Sequence, residues 1–519
     1  MPAIWRSLFR SRRNCLLLIV GAFTLSRSVY YWRGLRIDTG PLLNFWQIID
    51  PVLLRDHPWQ SLIYSRSQMP GFNSYLAFVM WAFPRHSVVV YQITFLFLGL
   101  SLAVCLFLVL DRLHVSRPIS VLLVIISVVS PVTALYENWL FYEYPIATLF
   151  CTSALFLNRY AKSGRRTDGI LFFTSLLGLA LLRVIYHLFW FWTIVAITIY
   201  VLPKWRRRTA MCAIVPGVVL SAIYLKSVVL FGLWVPGSDV LGSIDLSSFT
   251  SDHVPKQTLS RMASDGVISP VFMYVQQNKL EDPALINLVN VPPNTGIPIL
   301  DNRLKSTGKI NMDSLFMAAV GQRVRRDALI ILRSHPAATL ISIRRNVQRY
   351  FLPADLGWPF DLNERPNQKV MVSFRRYYDL ATTGYHPLIA TRHQYAFISY
   401  ITIPLLLWYG LWRSIRWLKR TVRKPWGNPT DLTVVFAFVN ILYLSGVIIF
   451  CDYADQNRYV FELFPLFIIL LGVLLTFFVN RGRMRRINLE QVISIDALSR
   501  TIRREEQLSL PPNSELCQA

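Results

Sequence analysis

Apolar runs long enough to cross a hydrocarbon core of ~30 Å as a helix recur along nearly the whole chain. Short polar stretches rich in Arg and Lys separate them. Cationic clusters between such runs mark the ends held on the cytoplasmic side. Clusters at 6–13, 112–117, 159–166, 204–208, 413–424 and 481–486 read this way, and the last leads into a polar cytoplasmic tail. Parity then fixes the path. Residues 14–32 go out, 87–110 return, 118–136 go out and 141–158 return. The stretch 168–203 joins two cytoplasmic clusters, so it is expected to be a hairpin of two short spans bending near Arg183 and His187. Residues 209–232 go out, 391–412 return, 430–450 go out and 459–480 return. The fold class expected is an all-α polytopic membrane protein of about ten transmembrane helices with both termini cytoplasmic.

The segment 72–83 breaks the pattern. It is too short to span, and Phe72, Tyr75, Leu76, Val79, Met80 and Phe83 follow the spacing of one helical face. The spacing predicts an amphipathic helix on the outer membrane surface, inside a first outer loop of residues 33–86. A second outer segment, from 235 to 390, is long enough to form a mainly helical domain. Its stretches 312–333 and 336–350 alternate apolar and basic positions, which suits either contact with lipid phosphates or an ordinary solvated face. The chain thus divides into an N-terminal transmembrane module (1–233), an extracytoplasmic domain (234–390), C-terminal transmembrane helices (391–482) and a polar tail (483–519).

Composition agrees with this reading: 53% of the 519 residues are hydrophobic and only 16% charged. The net charge of +25 has no nucleic-acid recognition motif beside it, so nucleic acid is not expected as a partner. The six cysteines are scattered and build no disulfide framework. The first apolar run continues to Trp32 without a cleavage pattern, so an uncleaved first span is expected. Asn-x-Ser/Thr acceptors with x other than Pro are absent, which favours a bacterial inner membrane.

With sides assigned, Asp38, Asp50, Asp56, Glu137, Glu143, Asp452 and Asp455 all fall on the outer face. Acidic residues contribute little to topology, so the positive-inside rule does not explain this asymmetry. Asp38 closely follows the first span and can serve as a general base. Glu137 and Glu143 lie in the aromatic stretch 136–145 (YENWLFYEYP), where they could support catalysis, bind a sugar or hold a divalent cation. Arg183 and His187 mark the hairpin tip. A His beside an apolar run is ordinarily structural, whereas an Arg there is a functional candidate. Between the last two spans, Arg458 can present its fork of donors to a phosphate, or else pair with Asp452 or Asp455. No Gly-rich phosphate loop, His-Glu-x-x-His, Cys-x-x-Cys or Asp-x-Asp occurs. A donor used at the outer face would therefore be membrane-borne or extracytoplasmic, and a polyprenyl-phosphate sugar meets that requirement.

These features resemble the GT-C superfamily of integral membrane glycosyltransferases, such as the protein O-mannosyltransferases and the lipid A aminoarabinose transferases. The resemblance rests on Asp38 after the first span, on 68–73 (QMPGFN) opening the short helix, on 136–145, and on Asn457, Arg458 and Tyr459 followed by Pro465. It implies an inverting transfer of sugar from a polyprenyl-phosphate donor to a glycan, lipid or protein acceptor. Asp38 would be the base, with Glu137 or Glu143 in support or as metal ligand. Arg183 or Arg458 would bind the donor phosphate, with Mg²⁺ or Mn²⁺ as the cofactor option. The sequence departs from many members in having Thr39, not a second acid, after Asp38. The competing readings are a transporter or flippase of lipid-linked substrates, a polysaccharide polymerase or ligase, and an assembly scaffold. The chain shows no internal repeat of the kind transporters carry.

Overall fold

The structure, a computed structural model, describes residues 9–351, 367, 397–423, 428–451 and 458–481. Asp452, Asp455 and the tail 483–519 lie outside the described residues, as do 352–366 and 368–396. Among the described residues there are helices and two isolated bridges but no strand. The described parts of the expected spans are mainly helical, with breaks at Ser130, at 141–142 and at 183–187. α1 (Arg12–Trp32) leads into a loop with four short helices: α2 (Gly40–Asn44), α3 (Pro51–Asp56), α4 (Pro58–Tyr64) and α5 (Pro70–Ala82). α6 (Ser87–Arg112) follows, then α7 (Arg117–Val129) and α8 (Pro131–Glu137), α9 (Glu143–Ser163), α10 (Arg166–Leu182), α11 (Leu188–Val201) and α12 (Arg206–Phe231).

Among the described residues five helices are long and apolar enough to cross a bilayer: α1, α6, α12 with the short 3-10 turn before it, Pro429–Cys451 and Arg458–Arg481. The pair α7 and α8 makes a sixth if the two count as one span, but they meet at 58°. Pro131 explains the bend. It supplies no N–H to continue α7, yet its fixed φ suits the first turn of a new helix. α10 and α11, of 17 and 14 residues and separated at 183–187, cover the stretch expected as a hairpin, and both are shorter than the five helices above. Large apolar residues such as Leu25, Phe97, Val215 and Val229 remain exposed on α1, α6 and α12. An outward apolar surface of this extent is what lipid tails cover. The chain is a polytopic helical membrane protein.

The short helix α5 begins at Pro70, a natural first helical residue. Its expected apolar stripe turns inward: Phe72, Leu76 and Val79 are buried, and α5 packs on α3, α4 and α10. Phe78 and Trp81 are what it leaves exposed. Gly71 is the closest point of that packing. A Cβ there would sit 2.6 Å from the Leu181 carbonyl oxygen, two residues before Arg183, so only glycine lets α5 approach the end of α10 this closely.

The outer segment forms a second core from α13 (Leu241–Ser251), α14 (Lys256–Ser264), α15 (Pro270–Gln276), α17 (Leu315–Ser334) and the start of α18 (Pro336–Tyr350), whereas the short α16 (Pro298–Asp301) turns Ile299 and Leu300 into the main core. α17 is capped by Ser314, whose hydroxyl accepts from the Met317 N–H at 3.2 Å. It buries Phe316, Val320, Val324, Ala328 and Ile331 on one stripe, with Arg325 and Arg326 outside. The chain then returns through α19 (Phe397–Arg423), α20 (Pro429–Cys451) and α21 (Arg458–Arg481).

Polar side chains fasten this outer unit to the first loop. Asp313 accepts from the backbone N–H of Arg66 and of Ser67, each at 2.8 Å. The Arg66 guanidinium pairs with Asp239. Lys305 donates to the carbonyls of Phe45 at 2.9 Å and Ile48 at 2.5 Å. Asp50, which caps α3 through Val52, also accepts from the N–H and hydroxyl of Ser306, both at 2.6 Å. Together these bonds set the first loop as the floor on which the outer unit stands.

Candidate functional site

Asp38 is held by main chain on both sides. Its N–H donates to the Asn138 carbonyl at 2.6 Å, and its own carbonyl accepts from the Leu140 N–H at 3.0 Å. This short parallel bridge ties the loop after α1 to the loop after α8. The Asp38 carboxylate accepts from the Gly40 N–H at 2.8 Å, a local turn that fixes its direction at the start of α2. Beneath the bridge lies an aromatic layer. Trp139 meets Phe45 edge-on at 5.5 Å, and Phe45 meets Phe141 at 4.9 Å.

Asp38 opens onto a cavity of about 1460 Å³ between the helix ends and the outer unit. Arg183, Arg458, Tyr459 and Tyr142 line the same cavity. Residues of the outer unit, among them Asp245, Gln276 and Glu281, complete the lining. Drug-sized ligand pockets span roughly 300–1,000 Å³, so this volume admits two reactants side by side.

Both arginines belong to one buried charge cluster. Arg458 Nε lies 3.2 Å from Glu143 Oε1, and Arg183 is 4.0 Å from the same oxygen. Arg183 also pairs with Glu462, whose second oxygen accepts from the Tyr186 hydroxyl at 2.7 Å. Glu143 and Glu462 are fully buried. The Arg183 guanidinium stacks 3.7 Å over the Tyr459 ring and 5.2 Å from the Tyr142 centroid. Two guanidinium and two carboxylate groups balance in charge, which is what burial of four ionised groups requires.

The other expected site residues lie elsewhere. Glu137 does not line the cavity. Its carboxylate takes a bidentate bond from Arg27 of α1, at 2.8 and 2.6 Å, and a third from the Tyr144 hydroxyl at 3.1 Å. His187 caps α11, its Nδ1 accepting from the Phe189 N–H at 3.2 Å, and its ring packs edge-on against Tyr224. The structure therefore joins Glu143, Arg183 and Arg458, sets Asp38 on the same cavity, and separates Glu137 and His187 from it. Asp452 and Asp455 are outside the described residues. Among the described residues no three His, Cys, Asp or Glu side chains gather as a metal site. Glu137 and Glu143 each face an arginine, so they do not form the oxygen cage a divalent cation needs.

Two participants escape the sequence reading. Glu462 sits in the apolar run of α21, one helical turn after Arg458, and an acid in a span is by itself a signal. Arg27 sits in α1, a hundred and ten residues from its partner Glu137, and nothing local points to that pairing.

No protein-family model matches the chain, and no curated protein matches it in sequence. Among solved structures, it is similar to the oligosaccharyltransferase of Archaeoglobus fulgidus, determined with a tethered acceptor peptide. The likeness has a TM-score of 0.36 at 11% identity and covers 90% of this chain. The chain spans 50% of that protein's length. A likeness this coarse assigns no residue and no substrate.

Proposed function

We propose that the protein is a membrane glycosyltransferase that moves a sugar from a polyprenyl-phosphate donor to an acceptor hydroxyl in the Asp38 cavity. The observation that carries the reading is one cavity lined by a backbone-fixed carboxylate, Asp38, and by two guanidinium groups, Arg183 and Arg458. The acceptor O–H gives its proton to Asp38 as its oxygen bonds the anomeric carbon. On the opposite face of the sugar the bond to the phosphate oxygen breaks, and the anomeric configuration inverts. Negative charge gathers on the departing polyprenyl phosphate, where Arg183 and Arg458 stabilise it with preorganised donors. Glu143 acts here as a positioning residue for both arginines, and Glu137 braces α1 against α8 through Arg27. No step runs through a metal ion.

The test is purified protein with a labelled polyprenyl-phosphate sugar and a panel of glycan, lipid and peptide acceptors. Transfer to an acceptor is expected, and Asp38→Asn should slow it by about 10²–10⁴, the contribution of a positioned general base, while melting behaviour stays unchanged. Full activity in Asp38→Asn sinks the base assignment. Labelled donor crossing a vesicle unaltered, with no transfer, marks a flippase instead.

A further inference from the structure

The opposite end of the helix bundle holds a second concave site. A cleft of about 540 Å³ lies among the start of α1, the ends of α6 and α9 and the start of α20, lined by Arg12, Asp111, Arg112, His114, Lys162 and Asn428. Cations at the last turn of a helix complement its dipole, which accounts for Arg112 and Lys162 being basic. It does not account for cations from three helices facing one cleft.

The local carboxylates are already taken. Asp111 lies 3.6 Å from Arg12 and 3.2 Å from Arg117, and Asp168 lies 2.7 Å from Arg159. Arg112 feels two other arginines, Arg159 and Arg12, more strongly than the carboxylates of Asp168 and Asp111. Its partly buried guanidinium forms no side-chain hydrogen bond or ion pair with any described residue. His114 holds a left-handed backbone conformation, φ 60°, in the turn between α6 and α7, and it lines the cleft beside Arg112.

We propose that this cleft binds the phosphate of an anionic phospholipid headgroup, with Arg112 as the central donor. A phosphate diester offers acceptor oxygens to the guanidinium fork and one negative charge to a cleft whose cations outnumber its carboxylate. The same chemistry exists in free phosphate. A lipid is favoured because the cleft lies at the ends of α1 and α6, both apolar enough to cross a bilayer, so a headgroup held there has its acyl chains alongside their exposed apolar residues. The site is independent of the transfer proposed at the other end.

The test is native mass spectrometry of the full-length protein released from detergent with phosphatidylglycerol, phosphatidylcholine or inorganic phosphate. Phosphatidylglycerol is expected to be retained over phosphatidylcholine. Retention should weaken about tenfold in Arg112→Gln, the loss of one charge-assisted contact. Arg207→Gln, an equal charge change at an exposed residue of α12 outside the cleft, should leave it unchanged. Lys162→Gln, an exposed site, gives the same readout if Arg112→Gln misfolds. Equal losses in the Arg207 variant, or none in the cleft variants, overturn the site. Displacement of the lipid by inorganic phosphate overturns the lipid assignment.

Discussion

Glu462 shows how one side chain can govern a cavity it does not touch. It is fully buried behind Arg183, bonding that guanidinium with one oxygen and Tyr186 with the other. Glu462→Gln keeps the volume and one acceptor but removes the charge that holds Arg183 in place. Under the transferase reading, the variant should raise the KM for the lipid-linked donor about tenfold or more, the value of a charged hydrogen bond, with a smaller change in kcat. Glu462→Asp should recover part of the loss. A fall in Tm with KM unchanged would leave Glu462 as a brace only. This residue was legible in principle, since an acid one turn from Arg458 in an apolar helix is costly unless paired. The place of Asp38 on the cavity was legible because it lies so close to a recognisable span end. Glu137 misled because its partner, Arg27, is in a helix whose apolar pattern gives no sign of which residue faces inward.

At the scale of elements, length and apolar periodicity located the helices, because both are local properties of the chain. Where they join is less local. The bend between α7 and α8 is written in Pro131, and the apolar stripe of α5 marks the face that is buried, but whether that face meets a membrane surface or other helices is not local information. Gly71 is the decisive contact. Gly71→Ala would press a methyl group against the Leu181 backbone, and backbone yields less readily than a side chain. Overpacking of this kind costs ~1–3 kcal/mol. The expected result is a lower Tm and, because Leu181 precedes Arg183, weaker donor binding. Gly21→Ala serves as the control, for a Cβ there meets nothing within 4 Å. Equal behaviour of the two variants would contradict the close approach of α5 to α10.

At the scale of the molecule, the outer unit is fastened to the membrane part through buried polar bonds, and Lys305 is the one that reports on pH. Desolvation by burial pushes its amine down to about 8, against the favourable fields of Asp313 and Asp50. Below pH 8 both folded and unfolded chains hold the proton, and the folded state bears the full cost of a buried ammonium. Between pH 8 and about 10.5 the unfolded state holds more protons than the folded one, so stability rises with pH through this window. A neutral amine still has two hydrogens for the Phe45 and Ile48 carbonyls. Wild type should therefore gain up to about 3 kcal/mol relative to Lys305→Met as pH climbs from 8 to 10.5, measured by parallel denaturation. A difference that stays flat or shrinks would refute the buried-amine account. None of this docking could be foreseen from residue order, because its partners are more than 170 positions apart.

The bridge between Asp38 and the loop after α8 has one more consequence. Position 38 is fixed through its own N–H and carbonyl, so its address in the cavity belongs to the backbone and its chemistry to the side chain. The two can be exchanged separately. A cysteine installed there would become a tethering point at the reaction wall, from which a disulfide- or maleimide-linked probe could sample whatever enters, whichever acceptor nature supplies.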